Sequence, residues 1–222
     1  HRDLHSFPTR RSSDLAVLAE TLRDFDNVKV VQADVMEVDL HQLIHDEFSG
    51  LDVLVCANLP YYITSPVIMK LLEEKLPVES LTVMVQKEAA VRICAAPGTR
   101  ACGAVSVAVQ YYSQPQILFD VPRDCFFPAP NVDSAVIRLN IRTEPPVKLE
   151  TEEKQFFKLV KAAFGQRRKT VLNSLSTGLG KSKEELSAAL QQAGIAPTAR
   201  AEQLTMEQFG TLCNLLFPNK AQ

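Results

Sequence analysis

Hydrophobic and polar positions change period several times along the chain, and each change marks an element. Residues 27–34 (NVKVVQAD) are β-branched and close on Asp34, residues 51–58 (LDVLVCAN) form a short apolar run closing on Asn58, and residues 81–86 (LTVMVQ) repeat the form. Continuous Val/Leu/Met runs of this length predict strands buried on both faces, as in a parallel sheet covered by helices. Helical spacing separates them. Ser65 is placed to cap, and Pro66 to enter, a helix whose apolar stripe is Val67, Ile68, Leu71, Leu72 and Leu76, ending before Pro77. Residues 87–96 read as a second helix stopped by Pro97-Gly98, and residues 104–112 as a third. Residues 116–122 (QILFDVP) and 134–141 (SAVIRLNI) predict two further strands around the Pro-rich loop FFPAPNVD. The alternation predicts a doubly wound α/β sheet with a terminal antiparallel pair.

The pattern changes at Glu144-Pro145-Pro146, which reads as a linker. Beyond it the period is helical throughout: Phe156, Phe157, Val160, Ala163 and Phe164 recur on one face as core. Ser182 with Glu185 and Thr205 with Gln208 form capping-box patterns, and Gly194 sits where a helix stops. At the other end, HRDLHSFPTRRSSDL is polar, without period, and joins the patterned sequence abruptly at Ala16. It looks like the in-frame translation of a sequencing-library adaptor, the alternative being a disordered basic arm, and either reading removes it from the fold argument. The expected organisation is therefore a foreign segment at 1–15, an α/β domain at 16–145 and an all-helical domain at 146–222.

A net charge of −2 argues against whole-surface binding to nucleic acid and leaves room for a local basic face. No apolar run is long enough to span a bilayer, so no membrane association is expected. The five cysteines show no metal-ligand spacing, which predicts free thiols in a reducing cytoplasm, small core side chains and no metal. His41 and His45 have a metal-like spacing on a possible helix but no third ligand, and read as solvated surface.

Ligands of open α/β sheets bind beyond the carboxyl ends of the strands, where Asp34 and Asn58 stand. Asp34 has two readings: an acceptor for the exocyclic amine of a nucleoside, or a cap for the turn after its strand. Asn58-Leu59-Pro60-Tyr61 is more informative. An exocyclic amine on a base is a poor nucleophile because its lone pair is delocalised into the ring. Two acceptors aimed at its N–H bonds, the Asn58 side-chain oxygen and the Leu59 carbonyl, favour a more tetrahedral nitrogen. Pro60 restrains Leu59 to an extended conformation, and Tyr61 offers a face on which an extruded base can stack. The competing reading is an ordinary strand-to-helix turn with Tyr61 in the core. Lys87, Arg92, Arg100 and the run Arg167-Arg168-Lys169, placed on a helix, are candidate phosphate contacts, with a solvated face or ion pairing as the alternative.

These residues carry a resemblance. ANLPYYITSPVIMKLLEE resembles the N-L-P-Y motif of the small-subunit ribosomal RNA adenine dimethyltransferases. VMVQKEAAVRICAAPGTRACGAVSVAVQYY is similar to that family's Q-K-E segment, FFPAPNVDSAVIRL to its F-x-P-x-P loop and strand, and FGQRRKTVLNSL to its Q-R-R-K-T helix. The resemblance runs from about Val28 to Phe217. It implies a Rossmann-like, S-adenosylmethionine-dependent methyltransferase fold with a small C-terminal helical domain that docks RNA. The implied reaction transfers methyl groups to N6 of two adjacent adenosines in the 3′-terminal hairpin loop of small-subunit rRNA, with the pre-30S particle as partner and a monomer acting.

Residue by residue, Asp34 matches the position contacting the cofactor adenine, Asn58 the motif residue between cofactor and target base, and Tyr61 and Phe126 the aromatic pair that sandwiches the base. No general base is required, since the amine can lose its proton after attacking the sulfonium methyl. The family's glycine-rich cofactor loop and ribose-holding acid lie upstream of Asp34, in sequence absent here, so an N-terminally truncated sheet with little activity is expected. Cys102 stands where the family usually has tyrosine. Two rival functions are an adenine methyltransferase acting on large-subunit rRNA or DNA, and a non-catalytic ribosome-assembly factor.

Overall fold

The computed structural model describes residues 12–218, which divide into two units, one ending at Val38 and the other beginning at Asp39. The first holds helix α1 (Ser12–Thr21) followed by turns and irregular chain. Residues 1–11 of the segment expected to be foreign lie outside the described residues, and α1 runs through Ala16 without a break. Ala, Leu and Glu after Ser12 are sufficient helix formers to carry it.

The strand expected at 27–34 does not form: those residues have no ladder partner among the described residues, and Val28, Val30 and Val31 are about half exposed. A β-branched run has no strand conformation of its own to fall back on when no neighbour accepts its backbone hydrogen bonds.

The second unit contains α2 (Leu40–Glu47), β1 (Leu54–Asn58), α3 (Thr64–Glu73), β2 (Ser80–Gln86), α4 (Lys87–Ile93), α5 (Ala104–Tyr112), β3 (Ser113–Val121) and β4 (Ser134–Ile141). Helices α6 (Glu153–Ala163), α7 (Val171–Leu179), α8 (Lys183–Gln192) and α9 (Met206–Leu216) follow. The sheet order is β1-β2-β4-β3; β1 and β2 are parallel, and β4 runs antiparallel to both β2 and β3. In β2, Leu81, Val83 and Val85 share one face and are fully buried, while Thr82, Met84 and Gln86 on the other face are half-buried, so the expected burial on both faces is incomplete even there and fails at the edges. Leu54 is 61% exposed on β1 and Phe119 57% exposed on β3, beyond a register shift between Ile117 and Phe119. Edge strands have one unpaired side and fewer packing neighbours, so an apolar sequence alone does not bury them.

Helix α3 starts one residue before the expected cap. Ile63 is the N-cap and makes no side-chain cap bond, while the Thr64 hydroxyl donates to the Pro60 carbonyl at 3.2 Å. Val67, Ile68, Leu71 and Leu72 of its stripe are buried as predicted, whereas Leu76 is buried beyond the helix, which ends at Glu73 before Lys75 takes φ 51°. In the C-terminal part, the Thr205 hydroxyl accepts the Gln208 N–H and the Gln208 side chain accepts the Thr205 N–H, a complete capping box. Gly194 takes φ +66°, the left-handed conformation that ends α8.

These helices share one core with α5, since Val107 and Tyr111 pack in the same cluster as Phe156, Leu175, Leu190 and Phe209. Of the five thiols, Cys102 and Cys213 are core residues and Cys94 is half-buried, whereas Cys56 and Cys125 are exposed on the β1 edge and in the Pro-rich loop. The expectation of five core cysteines is corrected accordingly.

Helices α6 and α7 meet at Gly178, where an added Cβ would stand 2.7 Å from the Ala162 Cβ and 3.0 Å from its Cα. Gly178→Ala is expected to destabilise the protein by about 1–2 kcal/mol: overpacking costs roughly 1–3 kcal/mol, partly offset by the helix preference of alanine. A urea melt with an unchanged or raised midpoint would refute the close approach.

Candidate functional site: a strand-exit turn facing a proline-rich loop

Asn58 is the last residue of β1, in register with Met84 of β2, and its side chain is exposed. Leu59 turns inward and is buried. The Pro60 carbonyl accepts the Ile63 N–H at 3.1 Å as well as the Thr64 hydroxyl, so the chain reverses tightly into α3. Burial of Leu59 on one side and the bonded Pro60 carbonyl on the other leave Asn58 projecting at the strand exit. Tyr61 is 38% exposed and so is not a core residue, which corrects its core placement in the competing reading, while the strand-to-helix turn of that reading is present. Its hydroxyl shares a 2.8 Å hydrogen bond with the buried hydroxyl of Ser134.

The loop from Pro122 to Asp133 stands between β3 and β4. It opens on a single 3-10 turn, Arg123–Cys125, after which Phe126 is half-buried and Phe127 fully exposed. Three bonds fasten this loop: the Asp133 carboxylate accepts the Arg123 N–H at 3.0 Å, the Asp133 carbonyl accepts the Lys87 N–H at 3.0 Å, and the Lys87 ammonium holds the Asp120 carboxylate at 2.6 Å. The hydrogen bond and charge of Asp120 raise the Lys87 pKa above its ordinary value. Lys87, a candidate phosphate contact in the sequence, is thus ion-paired within the protein.

The other cations differ. Arg92 lies in the last turn of α4, and Arg100 in the turn after Gly98; both are exposed and have no ion-pair partner among the described residues. Arg167, Arg168 and Lys169 are likewise exposed and without one. They do not stand on a helix as expected: they occupy the turn between α6 and α7. Thr170 caps α7 by accepting the Asn173 N–H, which fixes the helix start after the basic run.

Asp34, in the first unit, is exposed, and its Oδ1 accepts the Met36 N–H at 2.9 Å. The turn-capping role is therefore present, and the carboxylate remains accessible as an acceptor. His41 and His45 lie on α2; His41 bonds the Glu74 carbonyl and His45 the Asp46 carboxylate. No group of three or more His, Cys, Asp or Glu side chains among the described residues could hold a metal ion.

Two polar features were not read from the sequence. Ser134 was visible only as a small polar residue opening an apolar strand. The second is a cluster at Glu153, which accepts the Tyr112 hydroxyl at 2.7 Å and pairs with the Lys75 ammonium at 2.9 Å beside a cleft of about 330 Å³. Burial, then the Glu153 charge, pushes the neighbouring Tyr111 phenol up to about 12.

The mixed α/β sheet followed by a helical C-terminal part has the Rossmann-like fold of solved methyltransferases. The solved structures agree on the fold: a dimethyladenosine transferase from Plasmodium falciparum superposes with a TM-score of 0.69 at 23% identity, covering 91% of this chain and 78% of that one. A second, the 23S rRNA methyltransferase ErmE, gives 0.64 at 24% identity over 93% and 79%.

Sequence comparison goes further. The Ribosomal RNA adenine dimethylase family model matches residues 11–217, and the chain belongs to that family. A relative named Ribosomal RNA small subunit methyltransferase A, from Alkaliphilus metalliredigens, is 53% identical over 199 residues, 89% of this chain and 69% of that protein. Its counterpart from Geobacillus thermodenitrificans is 50% identical over 208 residues, 92% and 71% respectively.

Proposed function

We propose that this chain holds adenosines of small-subunit rRNA for methylation at N6; the relatives' names supply the small-subunit rRNA and the family's description the adenine. The observation that carries the reading is the exit of β1, where an exposed amide and a half-exposed tyrosine ring are held by a turn whose neighbours are buried or bonded. The Asn58 side-chain oxygen and the Leu59 carbonyl accept the two N–H bonds of the amine and draw its nitrogen toward a tetrahedral, nucleophilic form. Tyr61 stacks on the extruded base, worth about 1–3 kcal/mol, and Phe126 meets it from the anchored loop.

For S-adenosylmethionine each unit offers an acceptor by itself: in the first, Asp34 has an accessible carboxylate suited to an adenine amine, and in the second, Asn58 presents an exposed amide at the strand exit. When bound, it supplies an electrophilic methyl on a sulfonium. The residues of this chain contribute orientation and hydrogen-bond acceptance, and none has to remove a proton before attack. The target is the 3′-terminal hairpin loop within pre-30S particles, engaged by a monomer in the cytoplasm. No helix among the described residues is long and apolar enough to cross a membrane.

Arg167, Arg168 and Lys169, exposed and unpaired, serve as phosphate contacts together with Arg92 and Arg100. Replacing the three-residue run by alanine is expected to reduce the slope of log K against log[salt] for an rRNA hairpin by about 2, because each released counterion contributes roughly 0.7–0.9. Fluorescence anisotropy across a salt series measures it, and an unchanged slope would remove these residues from the interface. The function itself is tested by incubating unmethylated small subunits with S-adenosylmethionine and the chain in the full-length context of its relatives. N6,N6-dimethyladenosine at the 3′ hairpin, detected by mass spectrometry, is the expected product. Methylation of large-subunit rRNA instead, or particle binding with no cofactor binding, would replace the reading.

A further inference from the structure

We propose that Asp133 and Ser134 are positioning residues that pre-set both aromatic groups of the site. This rests on the base-holding reading above and adds a role for two side chains that contact neither base nor cofactor in it. Ser134 is fully buried and sits opposite Gln86 on one side and Val121 on the other, so neighbouring strands flank it on both sides. A hydroxyl in such a place requires a partner, and it has one 73 residues earlier in the chain, the Tyr61 hydroxyl at 2.8 Å. A stacking platform needs only a ring. The phenol oxygen of Tyr61 therefore serves the anchor: tied at its far end, the ring loses rotation about Cα–Cβ during folding, and that entropy is not lost again on binding. Rotation about Cβ–Cγ, whose axis runs through the phenol oxygen, stays open, so the bond pre-sets the place of the ring and leaves its tilt to adjust to the base.

Asp133 does the same for the opposite loop. Its carboxylate accepts the Arg123 N–H at 3.0 Å, and the Arg123 carbonyl in turn accepts the Phe126 N–H at 3.2 Å, so the turn that ends at Phe126 hangs from Asp133. The Asp133 carbonyl meets the Lys87 N–H, and the Lys87 ammonium reaches Asp120 at the end of β3. Two consecutive residues thus connect the N-L-P-Y turn, the start of α4 and the Pro-rich loop.

The test uses the chain with an rRNA hairpin carrying 2-aminopurine at the target adenosine. That base keeps a stacking face and lacks the 6-amino group, so its fluorescence reports the rings and not Asn58. Ser134→Ala and Tyr61→Phe are each expected to weaken the stacked state about fivefold, the size of one net hydrogen bond, and the double variant no more than either alone. Overall hairpin affinity is dominated by phosphate contacts and should change less than twofold. Asp133→Asn, which still offers an oxygen to the Arg123 N–H, should retain the signal that Asp133→Ala loses. Thermal melts on the same samples separate lost folding from lost positioning.

A Ser134→Ala chain with the wild-type signal, effects of Ser134→Ala and Tyr61→Phe that multiply, or no rescue by Asp133→Asn would overturn the positioning role while leaving the base-holding reading in place. No fluorescence change with the wild-type chain would overturn both.

Discussion

Asn58→Ala is expected to lower methyl transfer to rRNA adenosine by about 10²–10³-fold in the full-length protein, the usual loss when one oriented polar group is removed from a transition-state contact. The same change should leave the unfolding free energy from a urea melt within about 0.5 kcal/mol of wild type, because the Asn58 side chain is exposed at the end of an edge strand. The two readouts together separate chemistry from folding. Radiolabelled methyl incorporation measures the first and a urea melt the second. Asn58→Asp gives a finer check. A carboxylate accepts the amine hydrogen bonds but places negative charge beside a substrate bound to phosphate, so part of the rate should survive with weaker RNA binding. Wild-type turnover in Asn58→Ala would dismiss the proposed activation of the amine.

Phe156→Ala is expected to have the largest effect on stability, about 3–5 kcal/mol, through the apolar surface and the cavity lost with a fully buried ring. Phe156 stacks on Tyr111 of α5 at 5.1 Å between centroids and meets Phe157 edge-on at 5.3 Å. Such ring pairs add roughly 0.5–1.5 kcal/mol beyond area. Because Tyr111 and Phe156 belong to one core cluster, and α5 runs directly into β3 at Ser113, the sheet should unfold together with α5 and the C-terminal helices, with one shifted transition. Chemical denaturation followed both by tyrosine fluorescence and by far-ultraviolet circular dichroism checks this. Separate transitions, with only the helical signal moved, would contradict the shared core.

The elements most legible in the sequence were those fixed by neighbours along the chain. Strand β4 and helix α5 have the ends expected from SAVIRLNI and AVSVAVQYY, although α5 runs straight into β3 at Ser113 with no turn between them. The capping box at Thr205 and the stop at Gly194 are local too, and both were read correctly. Asn58 and Tyr61 were recognisable as chemistry because an amide and an aromatic ring interrupt an apolar run at a strand exit. Where two local signals competed, the reading slipped. Ser65 looked like the cap of α3, but the Pro60 carbonyl captured Thr64 first. The basic run looked helical until Thr170 began α7 behind it.

Read alone, the residues were enough for the class of fold, the helical C-terminal part and the candidates for the site, since period, caps and side-chain chemistry are properties of adjacent positions. The tertiary structure alone decided the strand order β1-β2-β4-β3, the exposure of β1 and β3, the failure of 27–34 to become a strand, and the diversion of Lys87 to Asp120. It also decided that Tyr61 would be anchored by Ser134. Each of these depends on which distant segment satisfies a backbone group, a hydroxyl or a charge, and that choice is made by packing among residues far apart in the chain.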